Sequence, residues 1–149
     1  MTNGLKSAKI LLVEDNPADA HPIIDYFNNS EDSIVIKHLE DGAKCLNYLH
    51  QKGNYKNDSL PDIIILDMNL PKIEGMKVLE EIKEDDSLRR IPVIIFGTSD
   101  DPLEVKKAYN NFANCYIVKP LDFNRFKKIM KCIDEFWLKT SVLPSNYEW

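Results

Sequence analysis

The sequence has no long apolar run. Its uninterrupted hydrophobic stretches are only a few residues long, whereas a helix needs about 20 apolar residues to span a bilayer. The N-terminal residues 1–9 are largely polar and contain no apolar core of the kind found in signal peptides. These absences predict a cytoplasmic protein that has no membrane partner.

Metal-binding and redox patterns are also missing. The three cysteines and three histidines are spread along the chain without C-x-x-C or zinc-ligand spacing. These residues are Cys45, Cys115, Cys132, His21, His38 and His50. We interpret the cysteines as reduced thiols that serve as small apolar residues, and we expect neither a disulfide framework nor a zinc site.

The sequence has fewer positively than negatively charged side chains. Lys and Arg number 19 against 24 Asp and Glu, so the net charge is −5 at pH 7, which argues against a nucleic-acid-binding face. We expect one domain over residues 1–149, with a core of about 7–138 and a C-terminal tail of 139–149. This length leaves no room for an added DNA-binding domain of about 60 residues, so output should occur through protein contacts rather than DNA.

Hydrophobic residues form short, nearly continuous runs. Four lie at residues 10–13, 63–66, 93–96 and 116–118, and a weaker, alternating one lies at Ile34–Leu39. Continuous runs are typical of parallel strands buried on both faces, and the alternating run suits an edge strand. Between the runs, apolar residues recur at helical spacing, and the fifth helix should cover residues 122–138. This alternation predicts an α/β fold, a parallel sheet of five strands with helices on both faces.

Charged residues follow the predicted strands. Glu14 and Asp15 come after the first strand, Asp67 after the third and Lys119 after the fifth. Parallel strands end at one edge of their sheet, where α/β proteins bind ligands, so these side chains should converge. Any single acid could simply cap a helix, but the four together favour a site. Clustered carboxylates suit a hard ion such as Mg²⁺, which leaves Asp67 as a nucleophile for a phosphoryl group.

The segments ILLVEDNPAD, IIILDMNLPKIEG, IPVIIFGTSD and YIVKP resemble the receiver domains of response regulators, in order and spacing. The long loop at residues 53–61 and the ending FWLKTSVLP are similar to regulators that serve bacterial phytochrome-type histidine kinases. The resemblance implies a flavodoxin-like sheet of order 2-1-3-4-5 and a stand-alone regulator in a phosphorelay. It also implies a sensor histidine kinase as partner, and a protein that is not an enzyme but promotes its own phosphorylation and dephosphorylation.

Residue roles follow from the same resemblance. Asp67 would be the phosphoacceptor, and Lys119, joined to Pro120 by a cis bond, would contact the phosphoryl oxygens. Asp67, Asp15 and the backbone carbonyl of Asn69 would bind Mg²⁺ directly. Glu14 would bind the ion through water. Tyr116 would be the switch aromatic.

Gly97 departs from the family pattern. The family has Ser or Thr at this place, whose hydroxyl bonds a phosphoryl oxygen. The next hydroxyl here belongs to Thr98, which would take over this catalytic contact if the backbone shifts. Two interpretations stay open. One is neutral sequence drift to glycine at a dispensable position, and the other is an altered switch in which Tyr116 turns inward even without phosphate. The alternative function is a pseudo-receiver scaffold with weakened switching.

Two other classes of protein fit less well. A phosphatase with an aspartate nucleophile usually carries a second acid two residues later, where this chain has Asn69. A flavin or nucleotide carrier would need a phosphate-binding loop after the first strand, but the segment EDNPAD is acidic.

The helices at the two ends of the chain show irregularities. Pro22 falls inside the first helix, which either bends there or begins with a distorted turn. The fifth helix has a wider apolar arc than a core-facing stripe requires. The arc comprises Phe123, Phe126, Ile129, Met130, Cys132, Ile133, Phe136 and Trp137. The surplus is covered either by the tail, with Val142 and Leu143 folding back, or by a homodimer through the fifth helix and tail.

Overall fold

A computed structural model describes residues 8–144 and shows five parallel strands in the order β2-β1-β3-β4-β5. The strands are β1 (Ala8–Val13), β2 (Ile34–Leu39), β3 (Ile63–Asp67), β4 (Val93–Gly97) and β5 (Cys115–Val118). The predicted fold class and strand order are confirmed. Strands β3 and β4 are buried throughout, in agreement with their unbroken apolar sequences.

Five α-helices cover the two faces of the sheet. They are α1 (Pro17–Asn28), α2 (Gly42–Leu49), α3 (Gly75–Glu84), α4 (Pro102–Asn110) and α5 (Phe123–Ile133). Helix α1 begins with Asn16 as its cap, whose side chain accepts a hydrogen bond from the Ala18 amide at 3.0 Å. Pro22 lies inside this helix without ending it. The long loop after α2 includes a short 3₁₀ turn at Gly53–Tyr55.

The core consists of two apolar clusters, one on each face of the sheet. Helices α2, α3 and α4 pack on one face, and helices α1 and α5 pack on the other. Alternate residues of the central strands contribute to each cluster, as Leu11 and Leu12 do in β1. The sheet is therefore held rigidly from both sides, which fixes the positions of the strand ends.

The C-terminal part is helical further than predicted. A π-helical segment, Asp134–Thr140, follows α5, so the helix predicted over about residues 122–138 is an α-helix only as far as Ile133. The Thr140 hydroxyl donates to the Glu135 carbonyl at 2.7 Å, an i to i+5 contact that suits the wider turn. Leu143 folds back and is buried, whereas Val142 is 65% exposed. Among residues 8–144, no helix combines the length and apolarity needed to cross a membrane.

Candidate functional site

The acids that follow β1 and β3 meet at one edge of the sheet. Glu14 and Asp67 are each 2% exposed, and Asp15 is exposed. One carboxylate oxygen from each of these three residues lies within 4.8 Å of the others. Within residues 8–144 this is the one group of acids, histidines or cysteines close enough to hold a metal ion. The convergence predicted from the strand ends is therefore present in the structure.

Lys119 reaches into this cluster from the end of β5. Its ammonium nitrogen lies 2.8 Å from Glu14 Oε1 and 3.1 Å from Asp67 Oδ1. It also donates a hydrogen bond to Asp19 Oδ2 at 3.0 Å. Sequence reasoning missed Asp19, because an acid in the first turn of a helix is usual and signals no site by itself.

The backbone around Lys119 differs from one prediction. No cis peptide bond occurs in residues 8–144, so the prediction of a cis bond between Lys119 and Pro120 was wrong. The trans form is the intrinsically favoured isomer, and the lysine reaches the acids with it.

Burial controls the electrostatics of the cluster. Desolvation raises the pKa of Glu14 to about 7, and the charge of Asp67 acts in the same direction, while Lys119 opposes both. Desolvation alone would lower the pKa of Lys119, but its contacts with Glu14, Asp19 and Asp67 outweigh that effect and raise it. The charged forms of Glu14 and Lys119 therefore stabilise each other.

The donor set fits a divalent cation. The carboxylates of the buried Glu14 and Asp67 and of the exposed Asp15 lie together, with the ammonium of Lys119 beside the two buried ones, which leaves excess negative charge at this edge of the sheet. Asp67 Oδ1 is also buried, with the Lys119 ammonium 3.1 Å away. Oxygen ligands with no soft donor suit a hard ion of the Mg²⁺ type.

Short contacts hold the loops that carry these acids. The ring nitrogen Nε2 of His38 lies 2.7 Å from the Glu14 carbonyl oxygen, and the Asn16 amide donates to Glu14 Oε2 at 3.2 Å. On the other side, Gly75 packs so closely that an added Cβ would overlap the carbonyl oxygen of Asp67. The loop between β3 and α3 can approach the strand end because residue 75 has no side chain.

The residues predicted to form the switch lie beside the acids. Gly97 pairs with Val118 at the ends of β4 and β5. The Tyr116 ring packs toward Gly97, and its hydroxyl donates to the Ser99 carbonyl at 2.7 Å. Thr98 is exposed, and its hydroxyl oxygen accepts from the side-chain amide of Asn69 at 3.3 Å.

Comparison with known proteins agrees with this arrangement. The family model for the response regulator receiver domain matches residues 10–131. The chain therefore belongs to the receiver domains of response regulators, the signalling proteins of two-component systems.

Individual relatives cover almost the whole chain. Response regulator Rcp1 of Synechocystis sp. is 38% identical over 136 residues, which are 91% of this chain and 92% of Rcp1. The probable methanogenesis regulatory protein FilR2 of Methanothrix harundinacea is 41% identical over 137 residues, 91% of this chain and 86% of FilR2.

Two solved structures are similar in fold as well as in sequence. The phosphorylated cyanobacterial phytochrome response regulator RcpA has a TM-score of 0.90 and 43% identity, with 93% of this chain and 99% of RcpA covered. The Mn²⁺-bound form of Rcp1 has a TM-score of 0.88 and 38% identity, with 92% and 99% covered. The predicted resemblance to phytochrome response regulators is thereby confirmed.

Proposed function

We propose that this chain is a phosphoacceptor that takes a phosphoryl group on Asp67 from a sensor histidine kinase. In the transfer, a carboxylate oxygen of Asp67 attacks the phosphorus of the kinase phosphohistidine. A P–O bond forms as the P–N bond breaks, and the departing imidazole nitrogen takes up a proton. The chain carries the phosphoryl group until water hydrolyses the acyl phosphate. Its chemistry therefore concerns its own phosphoryl group and no separate substrate.

The position of the Lys119 ammonium is the main support for this proposal. The ammonium of Lys119 lies 2.8 Å from Glu14 and 3.1 Å from Asp67, at the buried edge of the sheet. A fixed positive charge at this place can contact a phosphoryl oxygen on Asp67 and offset its charge during transfer. A scaffold without phosphoryl chemistry has no need for two buried acids beside one lysine, so the pseudo-receiver alternative is not favoured.

Glu14, Asp15 and Asp67, together with the backbone carbonyl of Asn69, would hold the divalent ion. We propose Mg²⁺ as the physiological ion, supported by the oxygen-only donor set and by the Mn²⁺-bound form of the relative Rcp1. When bound, the ion neutralises charge on the acids and on the transferring oxygens. The chain's residues contribute the nucleophile, the fixed ammonium and the exclusion of bulk water.

The experiment is phosphorylation by acetyl phosphate, followed by intact mass. With Mg²⁺ we expect one phosphoryl group, which hydroxylamine removes, and none in the presence of EDTA. Asp67→Asn should take up none, whereas Asp86→Asn, a change of an exposed acid far from the site, should behave as the wild type. Labelling that survives Asp67→Asn, or that resists hydroxylamine, would contradict the proposal.

We also propose two protein partners. The likeness to RcpA, a phytochrome response regulator, supports a phytochrome-type histidine kinase as the phosphodonor. A homodimer through α5 and the C-terminal tail is supported by apolar side chains that stay uncovered there, since Phe123 is 66% and Phe136 is 54% exposed. Both contacts would use protein surface, in keeping with an output that does not involve DNA.

A further inference from the structure

Asp19 contacts the site lysine from outside the acid cluster. It is the third residue of α1, and its side chain is 42% exposed, compared with 3% for the side chains of Glu14 and Asp67. Its Oδ2 accepts a hydrogen bond from Lys119 Nζ at 3.0 Å. Asp19 therefore lies at the rim of the site, where it can act on the lysine without being one of the buried acids.

The three N–H groups of the Lys119 ammonium face three carboxylates. The contacts with Glu14 and Asp19 are the shorter ones, at 2.8 and 3.0 Å. The third contact, with Asp67 Oδ1, is 3.1 Å long. Glu14 and Asp19 thus hold the ammonium from two sides, and its third contact is made to the phosphoacceptor.

We propose that Asp19 is a positioning residue, which fixes Lys119 so that its third N–H group faces a phosphoryl group on Asp67. This inference rests on the proposed function. Lysine has a flexible four-carbon stem, and contacts with Glu14 and Asp67 alone would let the ammonium move between these two acids. A second carboxylate on α1 removes this freedom, so the lysine is already placed when the phosphodonor arrives.

The position of Asp19 is itself fixed by the start of its helix. Asn16 caps α1 and Pro17 occupies its first turn, so the backbone that carries Asp19 is held at the sheet edge. Ala20, the next residue, is fully buried against the sheet and anchors the same turn. The carboxylate is therefore presented to Lys119 by a rigid element rather than by a loop.

The test compares the phosphorylation rates of wild type and variants with phosphoramidate and Mg²⁺. Because phosphoramidate needs no kinase, the rates contain no effect of kinase docking. Asp19→Asn should slow phosphorylation about five- to tenfold, because the ammonium is no longer fixed. Asp19→Glu, which keeps the charge and has room at the exposed rim, should restore the rate to within about threefold of wild type. The matched control is Asp25→Asn, which removes an exposed acid further along the same helix and should leave the rate unchanged.

A second measurement needs no phosphodonor. In the metal-free protein, acylation of Lys119 by an amine-directed reagent, followed by peptide mapping, reports how firmly the ammonium is held. Labelling of Lys119 relative to Lys9 should increase in Asp19→Asn and return toward the wild-type ratio in Asp19→Glu. Urea denaturation of the three proteins separates a change in this ratio from a change in overall stability.

The outcomes separate the two proposals. If the wild type takes up no phosphoryl group, the proposed function fails, and the labelling ratio alone then decides whether Asp19 fixes Lys119. If the wild type is phosphorylated and Asp19→Asn reacts at the control rate or faster, the positioning role is overturned. An unchanged Lys119 labelling ratio in Asp19→Asn overturns it as well.

Discussion

The hydroxyl of Tyr116 occupies the space beside Gly97 in which any other residue would place its Cβ. The hydroxyl donates to the Ser99 carbonyl at 2.7 Å, and the Tyr116 amide donates to the hydroxyl of Tyr109 at 3.0 Å. Strand β5 is thus connected both to the loop after β4 and to helix α4. The missing side chain at residue 97 is what allows the tyrosine ring to pack in this direction.

Replacement of Gly97 by serine should expel the Tyr116 ring. The new Cβ overlaps the tyrosine hydroxyl, so the ring must move and lose its hydrogen bond to Ser99. We expect the free energy of unfolding to fall by about 1–3 kcal/mol, as for other overpacked sites. Urea denaturation and the NMR signals of the Tyr116 ring measure the two effects, and Tyr116→Phe, which loses only the hydroxyl, is the control.

The same variant tests the switch. If Gly97 weakens switching, the Tyr116 environment in the wild type should differ little between free and beryllofluoride-bound protein, and Gly97→Ser should enlarge the difference. The opposite result would be a large difference in the Tyr116 environment between free and beryllofluoride-bound wild type. Gly97→Ser would leave this difference unchanged, and Thr98→Ala would abolish it. That pattern would make Thr98 the switch hydroxyl.

Much of the fold and the acid cluster could be predicted from the sequence because both depend on repeating geometry. A strand buried on both faces has no polar position, so runs such as 63–66 are easily recognised, and parallel strands end at one edge. The contact between Asp19 and Lys119 joins residues 100 positions apart and depends on helix placement, which a local pattern does not contain. The direction of the Tyr116 ring and the burial of Leu143 likewise depend on three-dimensional packing.

Divalent-ion binding should strengthen as the pH rises through about 7. Burial raises the pKa of Glu14 to about 7, and a carboxyl group must lose its proton to support a bound cation. The affinity for Mn²⁺, measured by electron paramagnetic resonance, should therefore rise by up to about tenfold between about pH 6 and about pH 8. Glu14→Gln should remove this dependence, and an equally flat profile in the wild type would contradict the assignment.

Gly75 should tolerate no side chain. A Cβ at this position would overlap the carbonyl oxygen of Asp67 and the backbone of Met68, so Gly75→Ala must displace the start of α3 or the end of β3. We expect a loss of about 1–3 kcal/mol in stability, together with slower phosphorylation of Asp67. Lys77→Ala, at an exposed position of the same helix, is the control and should change neither quantity. Equal stability of the two variants would show that the loop is not closely packed.

If the chain forms a dimer through its C-terminal helix, replacing two exposed aromatic rings there should lower the molecular mass in solution. The double change Phe123→Ser and Phe136→Ser removes exposed apolar surface, so it should convert a dimer to a monomer. Light scattering at high micromolar concentration measures the mass, with and without phosphorylation. Val35→Ser, which removes a half-exposed apolar residue on the opposite edge strand, should leave the mass unchanged. Monomers in every case, the wild type included, would exclude this dimer.

The central claim, that Asp67 forms an acyl phosphate, is tested most directly by borohydride reduction and peptide mapping. Borohydride reduces an aspartyl phosphate to homoserine, which marks the modified residue covalently. After treatment with acetyl phosphate and Mg²⁺, we predict homoserine at position 67 and unmodified acids at positions 14, 15 and 19. Homoserine at another acid, or none in protein that has gained phosphoryl mass, would contradict the account.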